Sequence, residues 1–364
     1  MKLSIATVSL SGDLNEKLEA VAAAGFKGVE IFEADLLSFE GTPGDVRRRA
    51  ADLGLDIITF QPFRDFEGMP PELRERNLSR AERKFDLMAE LGCDLLLVCS
   101  NVSPQSLGGI GRAADDLHAL GERAARRGMR VGFEALAWGR HISDYRDSWE
   151  AVRRADHPAI GLVLDSFHIF ARKTDLKPIA SIPREKIFLV QLADAPLLDM
   201  DSLSWSRHFR NFPGQGELPI IDFMTALQAT EFDGLLSLEI FNDQFRAGSA
   251  RSVAIDGRRS LLFLFDQLRE RGGTFPAGLV QLPPRAKCQT SRQRPPFGWS
   301  AWLTIARPVS SVRMLVTGKI SIATSVFAAR ASTHSSPNAS AMRLTSHASL
   351  HIFPATFMSR APRP

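Results

Sequence analysis

Residues 15–32 read NEKLEAVAAAGFKGVEIF, and this order of an amphipathic helix, a glycine and a short apolar strand decides the fold. The same order returns at 45–60, 83–100 and 121–136. The glycines that follow the helices are Gly25, Gly54, Gly92 and Gly128. Glycine tolerates the left-handed conformation that ends many helices. The strands are continuous apolar runs, which is typical of strands covered on both faces. The pattern therefore predicts parallel strands separated by helices.

Eight strands of this kind are predicted, at 2–9, 28–33, 55–60, 93–100, 130–136, 160–168, 187–194 and 234–241. Helical stretches fill the gaps, and 261–273 supplies a last helix. Eight β/α units in about 270 residues is the size of a TIM barrel. A doubly wound open sheet is the alternative, but VSLSGDLNE (8–16) lacks the GxGxxG phosphate loop that such sheets often carry after the first strand. The predicted fold class is α/β, a (β/α)8 TIM barrel over 1–273.

Composition and charge exclude several classes of protein. All 41 acidic residues lie in 1–271 against 34 Lys and Arg, a net charge of −7, whereas 272–364 holds 11 Lys and Arg and no acid. The negative charge of the first part opposes nucleic-acid binding. No apolar run is long enough for a membrane span, and MKLSIATVSL (1–10) lacks the layout of a signal peptide. Three cysteines cannot form a disulfide framework, so we expect a cytoplasmic protein.

Polar side chains interrupt the apolar runs of strands five to eight. Active groups of a TIM barrel come from the C-terminal ends of its strands, which here carry Glu134, Asp165, Gln191 and Glu239. Converging buried carboxylates are costly unless they are paired or bound to a cation. An oxygen-rich set without cysteine favours a hard divalent ion such as Mg²⁺ or Mn²⁺. The alternative is that each acid pairs separately with an arginine.

Other polar residues near strand ends have two interpretations each. Glu30 and Glu33 could join the site or serve in a helix cap or salt bridge, and Cys93 and Cys99 are expected to pack in the core. His168, three residues beyond Asp165, is placed to give and take protons near neutral pH.

A resemblance to the xylose-isomerase-like sugar phosphate isomerase/epimerase superfamily, and within it to bacterial 3-dehydroshikimate dehydratases, rests on segments in a fixed order. They are GVEIFEAD (28–35), VGFEALAW (131–138), GLVLDSFHIFAR (161–172), IFLVQLADAP (187–196), SWSRHFRNFPGQGELPI (204–220) and LSLEIFND (236–243). Many members of the superfamily carry His where this chain has Gln191, a difference that favours the dehydratase branch over a sugar isomerase and over zinc.

The resemblance implies a role for each site residue. Metal ligands would be Glu134, Asp165, Gln191 and Glu239; catalytic residues would be His168, as the base, and Glu134; substrate contacts would be Arg64, Ser206 and Arg210. An arginine suits a ring carboxylate because its planar guanidinium donates two parallel hydrogen bonds, so Arg64 and Arg210 are the candidates for that contact. The cofactor would be a divalent cation, Mg²⁺ or Mn²⁺, with Co²⁺ as a further candidate.

The implied reaction is metal-dependent dehydration of 3-dehydroshikimate to protocatechuate, a lyase reaction that would serve quinate and shikimate catabolism. Loss of the proton beside the ketone forms an enolate, which expels the β-hydroxyl, and a cation stabilises the charge as it forms. A sugar or sugar-phosphate isomerase/epimerase using the same metal is the main alternative. The expected partner is the small-molecule substrate, with no nucleic acid and no membrane, and a homo-oligomer is left open.

Two further classes are disfavoured by the residues. An endonuclease IV-like enzyme uses a zinc cluster rich in histidine, but 1–271 holds only His118, His141, His157, His168 and His208. A non-catalytic ligand-binding barrel has no need for the full ligand set.

Residues 274–364 form a different kind of sequence. They are rich in Ser, Ala, Thr, Pro and Arg and lack acids, which predicts a disordered basic tail or an aberrant one. Some relatives of the dehydratases continue into a domain similar to 4-hydroxyphenylpyruvate dioxygenase. We therefore hypothesise that a frameshift near residue 274 replaced such a domain, and we assign no activity to this segment.

Overall fold

The computed structural model of this protein describes residues 1–273. Eight parallel strands close into a barrel in the order of the sequence, so the doubly wound open sheet is excluded. The strands are β1 (Lys2–Ala6), β2 (Gly28–Phe32), β3 (Asp56–Phe63), β4 (Leu95–Cys99), β5 (Arg130–Glu134), β6 (Ile160–Asp165), β7 (Ile187–Leu192) and β8 (Leu235–Leu238). The prediction for 274–364 lies outside the described residues.

Helices connect the strands and cover the barrel. They are α1 (Leu14–Ala23), α2 (Glu33–Leu37), α3 (Pro43–Asp52), α4 (Pro71–Leu91), α5 (Ile110–Ala125), α6 (Tyr145–Ala155), α7 (Ser166–Ala171), α8 (Ser202–His208), α9 (Ile220–Gln228), α10 (Asp243–Ala247) and α11 (Ala250–Glu270). The predicted last helix, 261–273, is the second half of α11. Within 1–273, no helix combines the length and the apolar character that a membrane crossing requires.

Local chemistry sets where the helices begin and end. Asp13 caps α1 in a capping box, in which its side chain accepts from the backbone of Glu16 and the Glu16 side chain accepts from the backbone of Asp13. The four glycines that the repeats predicted as helix ends all adopt positive φ, for example +70° at Gly92 after α4. This conformation disfavours residues with a Cβ, which explains glycine at the end of each repeat.

The core has two layers, as the apolar strands require. Every residue of β4, β6 and β7 is buried, because side chains alternate between the barrel interior and the surrounding helices. Cys93 and Cys99 are buried in these layers as predicted. Burial raises the pKa of the Cys99 thiol well above its usual value, which opposes a role as a nucleophile.

The sixth strand is shorter than predicted. The apolar run 160–168 suggested a strand throughout, but β6 ends at Asp165 and Ser166 begins α7. The Asp165 side chain caps this helix, because its Oδ1 accepts from the backbone N–H groups of Phe167 (2.7 Å) and His168 (3.2 Å). His168 therefore lies on the first turn of a helix, directly above the end of its strand.

Candidate active site

Four polar side chains lie at one mouth of the barrel, as the sequence predicted. Glu134 and Asp165 are the last residues of β5 and β6, Gln191 in β7 pairs in register with Asp165, and Glu239 follows β8 directly. All four are buried. The carboxyl ends of four consecutive strands thus supply three carboxylates and one amide.

Arg210 lies among these acids. Its Nη1 donates to Asp165 Oδ2 at 2.7 Å, to Glu239 Oε2 at 3.0 Å and to the backbone oxygen of Glu239 at 3.2 Å. The side chain of Arg210 is 1% exposed. Burial opposes ionisation of Asp165, but the charge and hydrogen bond of Arg210 and the backbone N–H of His168 hold the pKa of that carboxyl below its usual value. One arginine therefore pairs with two acids, which differs from the alternative of a separate arginine for each.

The backbone around Arg210 explains how its side chain reaches the mouth. Asn211 forms an antiparallel bridge with Asp194 after β7, and Phe209 forms one with Asn242 after β8. The Asn242 side chain also donates to the backbone oxygen of Arg210 at 3.0 Å. Ser206, one turn earlier, accepts from Nη2 of Arg210 at 2.8 Å. These contacts hold the segment after α8 across the barrel end.

Glu134 and Glu239 are less well compensated than Asp165. Burial, followed by the charges of Glu239 and Asp165, raises the pKa of Glu134 well above its usual value. Burial also raises the pKa of Glu239, although Arg210 opposes the shift. Glu134 Oε2 accepts a weak bond from the thiol of Cys99 at 3.3 Å. Its Oε1 is buried and has no hydrogen-bond partner among residues 1–273.

This set fits a divalent cation. With its three carboxylates ionised, the cluster has two more negative charges than Arg210 compensates, and a dication would balance them. Oε1 of Gln191, like Oε1 of Glu134, is buried without a partner in the described part of the chain. Candidate ligand atoms of Glu134, Asp165 and His168 lie within 4.8 Å of one another. Carboxylate and amide oxygens are the ligands that Mg²⁺ and Mn²⁺ prefer.

His168 faces both the acids and Arg210. Its Nε2 lies 3.7 Å from Glu134 Oε1 and 3.2 Å from Nη2 of Arg210, while its Nδ1 lies 3.1 Å from the backbone nitrogen of Ala137. Burial lowers the pKa of His168 to about 3, and the charge of Arg210 adds to this effect. The ring is therefore neutral near pH 7. Nη2 of Arg210 can only donate, so the neutral ring accepts from it at Nε2 or from Ala137 at Nδ1, according to which nitrogen carries the proton.

Two arginines with no acidic partner stand at the mouth. Arg64 and Arg207 line a pocket above the acids, and no carboxylate of residues 1–273 forms a salt bridge with either of them. The guanidinium of Arg207 lies over the rings of Phe241 (4.6 Å) and Trp138 (5.7 Å). Burial and the charge of Arg64 lower the pKa of Arg207. Their two guanidinium groups give one side of the pocket a positive charge that no carboxylate of residues 1–273 balances through a salt bridge.

The remaining predicted residues divide between the site and the scaffold. Ser206 and Arg210 line the same pocket as His168. Glu33 pairs with Lys84 and therefore has the salt-bridge role that was one of its two interpretations. Asp194, a polar residue at the end of the seventh strand, accepts from the backbone N–H groups of Gly214, Gly216 and Leu218, which folds the loop before α9.

Sequence reasoning missed Gln61 and left Glu30 undecided. Gln61 is a polar residue within the apolar strand β3. The same signal identified Gln191 in β7, but Gln61 was not predicted as a site residue. Its Nε2 donates to Glu30 Oε2 at 3.1 Å, and Nε2 of Gln191 donates to the same oxygen at 3.0 Å. Glu30 is thus linked to one of the predicted ligands.

Comparisons with known proteins agree with the barrel. Residues 18–262 match a family model described as a xylose isomerase-like TIM barrel. A 3-dehydroshikimate dehydratase from Pseudomonas putida is 60% identical over 271 residues, which are 74% of this chain and 43% of that protein. The chain therefore spans less than half the length of this relative.

Solved structures also match the barrel of this chain. A xylose isomerase-like TIM barrel/4-hydroxyphenylpyruvate dioxygenase fusion protein is 58% identical, with a TM-score of 0.74, and the match covers 76% of this chain and 45% of that one. The IOLI protein, solved with a zinc atom bound, is 18% identical with a TM-score of 0.68, covering 74% of this chain and 99% of that one. At that identity the likeness concerns the fold alone.

Proposed function

We infer the function of this chain from the premise that it belongs to the family of xylose isomerase-like TIM barrels. We propose that its barrel, residues 1–273, dehydrates 3-dehydroshikimate to protocatechuate with a divalent cation. The proposal assigns the activity to the barrel and none to 274–364. It also places the protein in the cytoplasm, with a small-molecule substrate and no nucleic-acid partner.

One observation carries the proposal: the buried oxygen set of β5 to β8 belongs to a chain that is 60% identical to a 3-dehydroshikimate dehydratase over 271 residues. The segments that hold the set are the same ones that resemble the dehydratases. Gln191, the residue that separates this chain from histidine-bearing relatives, lies within the set.

The cation would be held by Glu134, Asp165, Gln191 and Glu239. A bound Mg²⁺ or Mn²⁺ would supply positive charge to the ketone oxygen of the substrate as the enolate forms. The four side chains that would hold the cation are all buried, which limits the access of water to this region. Arg210 holds the Asp165 and Glu239 carboxylates in place by its bonds to both.

We assign the base to His168, as the resemblance implies. Its ring lines the pocket beside the proposed ligands, with Nε2 3.7 Å from Glu134 Oε1. Glu134 is assigned to the cation, because its buried Oε1 has no hydrogen-bond partner among residues 1–273. His168 takes the proton beside the ketone and gives it to the departing hydroxyl, which leaves as water.

Arg64 and Arg207 are assigned to the substrate carboxylate. Arg210 was predicted for this contact together with Arg64, but its Nη1 and Nη2 atoms are bonded to Asp165, Glu239 and Ser206. Arg207 and Arg64 have no salt bridge within 1–273 and line the open side of the pocket. A carboxylate between them would relieve the repulsion that lowers the pKa of Arg207.

Ultraviolet absorbance tests the proposed reaction directly, because dehydration creates an aromatic ring and isomerisation does not. We expect the full chain, incubated with 3-dehydroshikimate and Mn²⁺, to produce the absorbance of protocatechuate. A chelator should stop the increase, because the enolate then loses its counter-charge.

The same assay distinguishes the dehydratase from the alternative function of a sugar isomerase or epimerase. A sugar isomerase or epimerase on this barrel would leave the absorbance flat with 3-dehydroshikimate while consuming a sugar substrate. The reaction without protein is the control for slow spontaneous dehydration. A flat trace from folded, metal-loaded protein would refute the proposed function.

A further inference from the structure

Glu30 is a buried carboxylate that the proposed reaction does not use. It lies in β2, across the barrel mouth from the proposed ligands, and its residue is fully buried. Burial, and then the charge of Glu239, raises its pKa to about 8. The amides of Gln61 and Gln191 donate hydrogen bonds to its carboxylate, and the side chain of Ser237 also interacts with it.

The contact with Gln191 decides how that amide is oriented. Nε2 of Gln191 lies 3.0 Å from Oε2 and 3.3 Å from Oε1 of Glu30, so the amino end of the amide faces the carboxylate. The oxygen end must then face away from Glu30. Oε1 of Gln191 is buried and has no hydrogen-bond partner within residues 1–273. An unpartnered buried oxygen is costly unless something positive binds it.

We propose that Glu30 is a positioning residue that fixes the Gln191 amide with its oxygen turned toward the cation. The inference rests on the metal site of the proposed function. An amide can present either its oxygen or its amino group, and only the oxygen binds a cation. Oε2 of Glu30 accepts from both amides whether the side chain is ionised or protonated on Oε1, so Glu30 selects the amino end of Gln191. Partners of this kind orient metal ligands in many proteins.

The variant Glu30→Gln removes this selection while keeping the shape of the side chain. Its new oxygen, in the place of Oε2, can accept from both Gln61 and Gln191, but its amino group, in the place of Oε1, then faces the amino group of Gln191, which lies 3.3 Å from Oε1 in the parent. Two donors repel each other, so Gln191 turns and its amino group faces the cation. We expect the dissociation constant for Mn²⁺, measured by titration of the metal-free full chain without substrate, to rise about ten- to a hundredfold.

Glu67→Gln is the matched control. Glu67 is equally buried, and burial raises its pKa to about 8 as well, but its side chain accepts from the backbone of Asn101 and contacts none of the proposed ligands. We expect Mn²⁺ affinity in this variant to equal that of the parent. An equal loss of affinity in both variants would mean that any buried glutamate matters, and it would overturn the proposal.

A double-variant cycle separates orientation from charge, since Glu30→Gln also removes a negative charge near the site. In a Gln191→Ala background there is no amide to orient, so we expect Glu30→Gln to change Mn²⁺ affinity about threefold at most. The same fold-loss in both backgrounds would assign the effect to charge and overturn the proposal.

Two further results are decisive. If neither Glu30→Gln nor Glu30→Asp gives folded protein by circular dichroism, Glu30 belongs to the fold and the inference fails. If the folded parent binds no Mn²⁺, the metal site fails and the proposed function fails with it. Normal binding by parent and Glu30→Gln alike refutes only the role of Glu30.

Discussion

Replacement of Glu239 by Gln is expected to lower turnover of 3-dehydroshikimate by roughly a thousandfold while the barrel remains folded. Glu239 contributes a carboxylate to the proposed cation site and accepts a bond from Arg210 Nη1 at 3.0 Å. An amide has the same shape but no charge, so both interactions weaken. The rate of protocatechuate formation measures the loss, and circular dichroism checks the fold.

Glu33→Gln is the control for this variant. Glu33 follows β2 near the same end of the barrel but pairs with Lys84 instead of the site. We expect its turnover to stay within about twofold of the parent, because the partner of Glu33 is Lys84 and not a residue of the site. The companion variant Asp165→Asn should behave like Glu239→Gln. Full activity in either of the two site variants would remove that residue from the ligand set.

Arg210→Met is expected to reduce the free energy of unfolding of the metal-free chain by about 3–5 kcal/mol, because it leaves two buried carboxylates without their cation. Arg210 is 1% exposed and bonds to both Asp165 and Glu239. Mn²⁺ should recover part of the loss, since it supplies positive charge to the same acids. Chemical denaturation with and without Mn²⁺ measures both effects.

Arg207→Met is the matched control for Arg210→Met. Arg207 lies three residues away and lines the same pocket, but its guanidinium contacts the rings of Phe241 and Trp138 and forms no salt bridge with an acid of the described residues. We expect its stability to change by less than about 1 kcal/mol. Its KM for 3-dehydroshikimate should increase, since the variant loses a contact to the substrate carboxylate. Equal destabilisation by the two variants would contradict the role given to Arg210.

The barrel and the place of its four polar strand-end residues at one mouth could be predicted from the sequence because both follow from a repeated pattern. The helix–glycine–strand order fixes parallel strands, and a closed barrel brings their carboxyl ends to one mouth. A polar residue at the end of an apolar strand is then placed in the site by topology alone. Glu134, Asp165 and Gln191 were located in this way, without knowledge of any loop.

Contacts made by loops could not be predicted in the same way. Arg210 enters the acid cluster because its neighbours Phe209 and Asn211 bridge to Asn242 and Asp194, pairings that no local pattern encodes. The end of β6 was missed because the cap made by Asp165 stops the strand within an apolar run. The direction of the Gln191 amide depends on Glu30, which is 161 residues away in sequence.

A titration of metal-free full chain with Mn²⁺, followed by rate measurements on 3-dehydroshikimate at each step, tests the central claim most directly. The account predicts that protocatechuate formation is absent without metal, rises in proportion to bound Mn²⁺, and stops rising at one ion per chain. Full turnover by the metal-free chain, or binding of Mn²⁺ that leaves the rate at zero, would contradict it.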